Sequence, residues 1–256
     1  MQDIVSDLQA ELGARVVCDS AVTHAHARDT WSLAELLDYQ GQPACSPIAV
    51  VKAESTADVA TAMRICRAHK TPVVAYGGGS GVCGGIFVGE GTVVVSTRGL
   101  SGLISLDNGD LTATFGAGTM GGDAERMVQE HGLTIGHWPQ SIEVSTVGGW
   151  VATRASGQYS TGYGNIEDII LDLEVVLPDC ELLRTRRTPR AASGPDLRQL
   201  VLGSEGTLGI VTEVTVSLRP LAEHHVRQAF HFDGLAAALA PVQQLMREGW
   251  RPPVVR

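Results

Sequence analysis

The segment with the clearest potential for chemistry is a glycine-rich run that directly follows an apolar stretch at residues 72–76. The run consists of Gly77, Gly78, Gly79, Ser80 and Gly81, with Gly84 and Gly85 close behind. Successive backbone N–H groups in such a run can form a concave nest for an anion, typically a pyrophosphate. A Cβ atom there would hold the phosphate away from the backbone. The alternative is a glycine-rich turn that binds no ligand.

The same run contains a G-x-G-x-x-G pattern at Gly79, Gly81 and Gly84. This pattern identifies a Rossmann dinucleotide site only where a helix begins at its last glycine. Residues 84–88 predict instead that the chain continues into a strand, so we interpret the match as accidental. The nest hypothesis does not depend on it.

Three further regions place small and hydroxyl-bearing residues beside glycines. They are residues 141–150, residues 153–157 with 163–168, and residues 203–210. A long planar ligand could lie against such backbone, with hydroxyl and N–H groups bonding to its polar edge.

The elements that must position these regions follow from the apolar pattern, which predicts an α+β fold with many short strands. Strands are predicted at 48–51, 72–76, 92–97, 111–115, 166–178 and 210–218, and helices at 57–69, 120–131 and 235–247. Ser55 and Asp58 predict a capping box at the first of these helices, and Gly132 is expected to close the second. Residues 1–42 are expected to form a helical lead-in, and residues 253–255 are strand-like.

Composition excludes several classes of protein. The 256-residue chain has a formal net charge of −9, which argues against a nucleic-acid partner. Its five cysteines form no C-x-x-C pair, so we expect neither a metal site nor a disulfide framework. Neither a signal peptide nor an apolar run of about 18 residues is visible. We therefore expect a soluble cytoplasmic protein without a transmembrane segment, acting on a small-molecule substrate.

Taken together, the four glycine-bearing regions resemble the FAD domain of the vanillyl-alcohol-oxidase and para-cresol-methylhydroxylase (PCMH) family of FAD-linked oxidases. The resemblance covers residues 47–220, in order and with similar spacing. Residues 145–151, 153–157 and 163–168 look most like the alkylglycerone-phosphate synthase branch of the family. Flavin subunits of bacterial glycolate and D-lactate dehydrogenases are similar but more distant.

The resemblance implies four groups of FAD contacts. They are Tyr76, Gly77, Gly78, Gly79, Ser80 and Gly81 at the pyrophosphate; Gln140, Ser141, Ile142, Glu143, Val144, Ser145, Thr146 and Gly149 beside the flavin and its ribityl chain; Thr153, Arg154, Ala155 and Ser156 as further backbone and hydroxyl contacts; and Glu205, Gly206, Thr207, Leu208, Gly209, Ile210 and Val211 near the adenosine or closing the pocket. Residues 96–103 correspond to another stretch at the edge of the site.

Three residues near the implied site leave their roles open. Some members of the family attach FAD through a histidine near this loop; here there is none, so we expect non-covalent FAD, and Cys83 is expected to be a small buried thiol rather than an attachment point. His137 could orient substrate or flavin, or be a packed or solvent-facing histidine. Arg154 could stabilise a reduced flavin or hold an anionic substrate, or form an ion pair with Glu167 or Asp168.

The resemblance also implies a domain division. Residues 43–222 would form a PCMH-type FAD-binding domain of two α+β subdomains, after the lead-in at 1–42. Residues 223–256 would begin a C-terminal cap domain that is otherwise missing, so no catalytic residue can be assigned. A homodimer or a partner chain that supplies the cap is the assembly we consider.

Three functions stay open from the sequence. The first is an FAD-linked dehydrogenase or oxidase acting on the CH–OH group of a 2-hydroxy acid or alcohol. The second is an alkylglycerone-phosphate-synthase-like transferase of ether-lipid synthesis, in which the flavin assists without net redox change. The third is an FAD-binding fragment without activity of its own. Similarity at an FAD site reports how FAD is held rather than which reaction follows.

Overall fold

The computed structural model describes residues 2–43 and 45–255. The helices are α1 Gln2–Leu12, α2 Ser20–Ala25, α3 Ser32–Tyr39, α4 Thr56–Ala68, α5 Gly121–Gln129, α6 Val147–Thr153, α7 Ser160–Tyr163, α8 Ile166–Ile169, α9 Arg198–Val201 and α10 Leu235–Arg247. The strands are β1 Val16–Val17, β2 Ala49–Lys52, β3 Val73–Tyr76, β4 Val93–Ser96, β5 Leu103–Asp107, β6 Thr112–Gly116, β7 Leu133–Thr134, β8 Ile170–Val176, β9 Leu182–Arg184, β10 Ile210–Ser217 and β11 Arg219–Pro220.

The first sheet has the strand order β1-β2-β4-β3 and is parallel except for β1 at its edge. Its central strand β4 is a fully buried valine run, as expected of a parallel strand that is covered on both faces. Helices α1 and α4 share one apolar core with this sheet, through Leu8 and Val59 among others. The lead-in therefore contributes a helix and an edge strand to the first subdomain.

The second sheet is antiparallel, with the order β5-β6-β10-β8-β9. Strand β10 lies at its centre, and Val214 and Val216 are fully buried there. Helices α5 and α6 share the core of this sheet, which includes the buried side chains of Phe115 and Trp150. Two sheets, each with its own helices, give the two α+β subdomains that the sequence predicts.

Most predicted elements are present within a few residues of their expected bounds. The capping box is confirmed, with the Asp58 N–H 3.2 Å from Ser55 Oγ. Helix α10 has the expected bounds, and Gly132 lies just after α5 with φ +72°. All residues from 221 to 255 are exposed or half-buried.

Three strand predictions are wrong in part. Residues 166–169 form the helical turn α8 ahead of β8, because Asn165 and Asp168 make a capping box. Residues 84–88 form no strand: a single bridge pairs Phe87 with Arg28. Residues 253–255 are irregular. Among the described residues, no helix is long and apolar enough to cross a membrane.

Candidate functional site

A cavity of about 340 Å³ opens where the two subdomains meet. Its first wall is the glycine loop, defined here as residues 77–88, which follows the carboxyl end of β3. Ligands of open parallel sheets bind outside these strand ends. The second wall is the segment 141–153, and the third is the segment 204–211 at the start of β10. The four regions singled out in the sequence therefore converge on one cavity.

The glycines of the loop are required by its close contact with the second wall. A Cβ at Gly78 would overlap the carbonyl oxygen of Val144, and one at Gly77 would lie 2.6 Å from Thr146 Oγ1. Gly79 has φ +68°, a conformation that side chains disfavour. Glycine at these positions leaves room for a phosphate, and it also lets two walls of the cavity touch.

The glycine loop fits an anion because its donors are free. Within residues 2–43 and 45–255, no acceptor is hydrogen-bonded to the backbone N–H groups of residues 77–81. Backbone N–H groups rarely stay unpaired away from water, so donors in a row beside a cavity are available to a ligand. Free N–H groups are what the nest hypothesis requires, and binding of a pyrophosphate there stays a prediction. No helix begins at Gly84, the last glycine of the G-x-G-x-x-G match, so that match does not mark a Rossmann site.

The second wall is held by its own hydrogen bonds. Ser145 N–H lies 2.7 Å from the Ser141 carbonyl oxygen, and Trp150 Nε1 donates to Ser145 Oγ at 2.8 Å. Thr146 caps α6, accepting the Gly149 N–H at 3.1 Å. The indole of Trp150, 1% exposed, completes the wall from the core side.

Glu205 joins the third wall to the first. It has φ +48°, and its side chain lies against Gly85, where a Cβ would overlap Oε2. The cavity wall also includes the carboxylate of Asp29. In the described part of the chain, neither lysine nor arginine lines this cavity. Backbone N–H groups therefore supply the positive potential of the wall itself. Burial raises the pKa of Tyr76, and the charges of Arg98 and Arg28 reach this side chain and oppose that rise.

Most of the expected FAD contacts line the cavity. These are Tyr76, Gly77, Gly78, Gly79, Ser80, Gly81, Ser141, Ser145, Thr146, Gly149, Thr153, Ala155, Glu205, Gly206, Gly209, Ile210 and Val211. The structure places the remaining expected residues outside its walls: Gln140, Ile142, Glu143, Val144, Arg154, Ser156, Thr207 and Leu208. Ile142 is buried in the core, for example, and Glu143 lies 3.6 Å from Arg126.

Sequence reasoning did not single out Asp29, Thr97 or Ala152 as lining residues. Thr97 follows the carboxyl end of β4 and falls in the stretch expected at the edge of the site. Asp29 lies in the lead-in and no motif indicates it. Cys83 corrects another expectation: it was expected to be buried, and the structure shows it exposed and in the cavity wall.

His137 is packed rather than solvent-facing. It is 1% exposed, and its ring meets Trp150 edge-on with centroids 4.7 Å apart. Neither ring nitrogen has a hydrogen-bond partner among the described residues. Burial lowers the pKa of His137 to about 4, because the charged imidazolium would lose its hydration. The ring is therefore neutral at pH 7.

Arg154 forms the ion pair that was one of its two expected roles. Its Nε lies 3.5 Å from Glu167 Oε1, and Nη2 donates to Gln199 Oε1 at 2.8 Å. The residue itself has φ +51° at the end of α6. This geometry turns the guanidinium to α8 and α9.

Comparisons with known proteins agree with this geometry. The chain is similar to the uncharacterized FAD-linked oxidoreductase YgcU of Escherichia coli (strain K12), with 35% identity over 99% of this chain and 53% of that protein. The glycolate oxidase subunit GlcD of Bacillus subtilis (strain 168) is 33% identical over 78% of this chain and 43% of that protein. The chain thus spans about half the length of the curated relatives it matches.

A solved structure of alkyldihydroxyacetonephosphate synthase superposes with a TM-score of 0.86 at 29% identity, covering 97% of this chain and 46% of that one. The fold is accordingly the PCMH-type FAD-binding fold. A family model described as "FAD binding domain" matches residues 47–186 of the 256. Since that match includes the glycine loop and the second wall, and spans more than half of the chain, the protein belongs to the FAD binding domain family and FAD is its cofactor.

Proposed function

We propose that the cavity holds FAD non-covalently and that the protein is the FAD-binding part of an oxidoreductase acting on a CH–OH group, such as that of a 2-hydroxy acid or an alcohol. The observation that carries the proposal is the row of free backbone N–H groups at residues 77–81, placed at a strand end beside a cavity. The relatives YgcU and GlcD, by name an FAD-linked oxidoreductase and a glycolate oxidase subunit, support the reaction class.

In this proposal the chain binds and orients the cofactor. The N–H groups of the glycine loop hold the pyrophosphate of FAD. The hydroxyl-bearing second wall and the residues of the third wall lie along the rest of the cofactor. Bound flavin supplies the ability to accept a hydride from a carbon that bears a hydroxyl group. The residues that choose the substrate are proposed to lie in a second domain that begins near residue 223.

A redox experiment tests the reaction class. The FAD-loaded protein is mixed under anaerobic conditions with glycolate or lactate, and loss of the oxidised flavin absorbance is followed. The matched control is 2-hydroxyisobutyrate, which has no hydrogen on the hydroxyl-bearing carbon. We expect bleaching by a 2-hydroxy acid and none by the control; equal bleaching by both contradicts the proposal.

The structural similarity to alkyldihydroxyacetonephosphate synthase favours a second candidate, a flavin-dependent transferase that exchanges an acyl for an alkyl group. Ether formation from an acyl-dihydroxyacetone phosphate and a fatty alcohol, without flavin bleaching by 2-hydroxy acids, would select it. FAD binding with neither activity would identify the chain as a binding fragment that a partner chain or further domain completes.

The mode of attachment is tested separately, since Cys83 is exposed at the cavity. Acid precipitation of the loaded protein should leave all flavin in the supernatant. Flavin that stays with the pellet in the wild type, and leaves it in Cys83→Ala, would contradict non-covalent binding.

A further inference from the structure

We propose that the FAD site extends into the N-terminal lead-in, where Asp29 is a positioning residue that shapes the glycine loop for the cofactor. The inference rests on the proposed binding of FAD in this cavity. Asp29 precedes the region 47–186 that matches the FAD binding domain model. We call residues 27–31 the bracket.

The bracket is hydrogen-bonded to the glycine loop along its length. Asp29 N–H donates to the Ile86 carbonyl oxygen at 3.0 Å, and Val88 N–H donates to the Ala27 carbonyl oxygen at 3.0 Å. Thr30 donates both its N–H and its hydroxyl to the Gly81 carbonyl oxygen, at 2.9 and 2.8 Å. These bonds hold both ends of the stretch 81–88, which has no strand or helix of its own.

The Asp29 carboxylate fixes the middle of that stretch. Its Oδ2 accepts the N–H groups of Gly84 at 3.1 Å and Ile86 at 3.5 Å, while Oδ1 accepts the Trp31 N–H at 3.1 Å. Asp29 is 3% exposed and lines the cavity. A carboxylate that accepts several backbone N–H groups makes charge-assisted bonds, which are stronger than neutral ones. The carboxylate therefore occupies the donors of residues 84 and 86 and fixes the backbone between them.

Side-chain packing tightens the same contact. A Cβ at Gly81 would lie 2.9 Å from Asp29 Oδ2, and one at Gly84 would lie 2.7 Å from the Trp31 ring. These two glycines are needed by the bracket, whereas Gly77 and Gly78 are needed by the second wall. The glycine loop is thus pressed between two supports.

The bracket is itself anchored. Arg28 Nε lies 2.6 Å from Asp38 Oδ2 on α3, and its Nη1 donates to the Asp29 carbonyl oxygen at 2.9 Å. A binding site works best when residues behind it lock its geometry. Asp29 performs that role here by packing against Gly81, and among the described residues it accepts no N–H group of the row 77–81.

The test compares two aspartates of the lead-in that both accept backbone N–H groups. Asp29→Ala removes the carboxylate that holds the loop; the matched control Asp19→Ala removes the cap of α2, which accepts from Ala21 and Val22. The dissociation constant for FAD is measured by quenching of flavin fluorescence. We expect a rise of at least tenfold for Asp29→Ala, a smaller rise for Asp29→Asn, which keeps one acceptor oxygen, and a change within twofold for Asp19→Ala.

Amide hydrogen exchange in the protein without FAD provides a readout that does not need the cofactor. The backbone amides of Gly84 and Ile86 should exchange at least tenfold faster in Asp29→Ala than in the wild type. Their exchange rates should be unchanged in Asp19→Ala. A dissociation constant within twofold of wild type for Asp29→Ala, or an equal rise for both alanine variants, overturns the inference while the proposed function stands. A wild type that binds no FAD overturns the proposed function. In that case amide exchange alone tests whether Asp29 holds the glycine loop.

If Asp29→Ala fails to fold, Thr30→Val decides the question, since it removes one hydroxyl bond to Gly81 from an exposed position. We expect its dissociation constant for FAD to rise about threefold with an unchanged melting temperature. A dissociation constant equal to that of wild type overturns the inference.

Discussion

The first and second walls of the cavity are built in opposite ways. The second wall finds its hydrogen-bond partners within the protein: Ser141 and Thr146 accept N–H groups of the wall itself, and Ser145 Oγ accepts the indole N–H of Trp150. The N–H groups of Val147 and Gly148 donate to the Thr119 and Ala117 carbonyl oxygens beside α5. The glycine loop leaves the N–H groups of residues 77–81 without acceptors in the described chain, and its later part is held by the bracket. The second wall is part of the core, whereas the glycine loop is held by hydrogen bonds from the bracket.

The difference separates stability from binding. Bonds inside the second wall are made whether or not FAD is present, so their loss should lower the free energy of unfolding. Free donors in the glycine loop gain their acceptors only when a ligand binds, so distortion of the loop should mainly reduce affinity for FAD.

The largest effect is expected where the two walls touch. Gly78→Ala places a Cβ against the Val144 carbonyl oxygen, which is backbone and cannot rotate away. The loop must move from the second wall, and we expect affinity for FAD to fall at least about 100-fold, with a loss of roughly 1–3 kcal/mol in stability from overpacking. Flavin fluorescence titration and thermal unfolding measure the two.

The matched control for this variant is Gly89→Ala, just past the same loop, where a Cβ would lie 3.9 Å from Thr92 Oγ1. It should change neither quantity measurably. A Gly78→Ala protein that binds FAD like the wild type would show that the contact between the walls is not needed.

A pH-dependent effect is expected behind the second wall. The pKa of His137 is about 4 in the folded chain and about 6.5 when unfolded. As the pH falls below 6.5, the unfolded chain gains a proton that the folded chain does not, so stability is lost. Between pH 8 and pH 5 this residue should remove about 2 kcal/mol from the free energy of unfolding.

Denaturant unfolding of wild type and His137→Phe at both pH values measures this effect. The phenyl ring keeps the contact with Trp150 but does not titrate. The wild type should lose about 2 kcal/mol more than the variant over that interval. Parallel pH profiles would contradict the lowered pKa.

A smaller effect is expected inside the second wall. Ser145→Ala leaves Trp150 Nε1 buried without its acceptor, which typically costs about 1–2 kcal/mol. Affinity for FAD should fall far less than in Gly78→Ala. Ser101→Ala, at an exposed position, should be within about 0.5 kcal/mol of wild type. A variant Ser145→Ala with wild-type stability and lost FAD binding would reverse the roles of the walls.

The features that the sequence predicts are those formed by residues close together along the chain, whereas contacts between distant residues were not predicted. The strand before the glycine loop, the capping box at Ser55 and the small residues of the second wall are local patterns, and each was predictable. Asp29 was not: its partner Gly84 lies 55 positions away, and a single acidic residue in an amphipathic lead-in carries no periodic signal.

A local pattern gave a wrong prediction where a second local pattern favoured another structure. Residues 166–178 are apolar enough for a strand, but Asn165 and Asp168 cap a helical turn at its start. For Arg154 the sequence left two partners open, and Glu167 was settled only by the position of α8. The partner of Arg154 depends on contacts between residues that are distant along the chain, and these contacts cannot be predicted from one sequence.

The smallest expected effect tests the charge balance between the walls. In the described chain the residues that line the cavity include Asp29 and Glu205 and neither lysine nor arginine. If backbone N–H groups alone hold the pyrophosphate, no side-chain cation pairs directly with the anion, so added salt has little to screen there. The dissociation constant for FAD should therefore rise less than about threefold between 0.05 and 0.5 M NaCl, where sites that pair phosphates with Lys or Arg weaken much more. A rise of tenfold or more, measured by the same fluorescence titration, would show that a cation reaches the pyrophosphate and that the N–H row does not hold it alone.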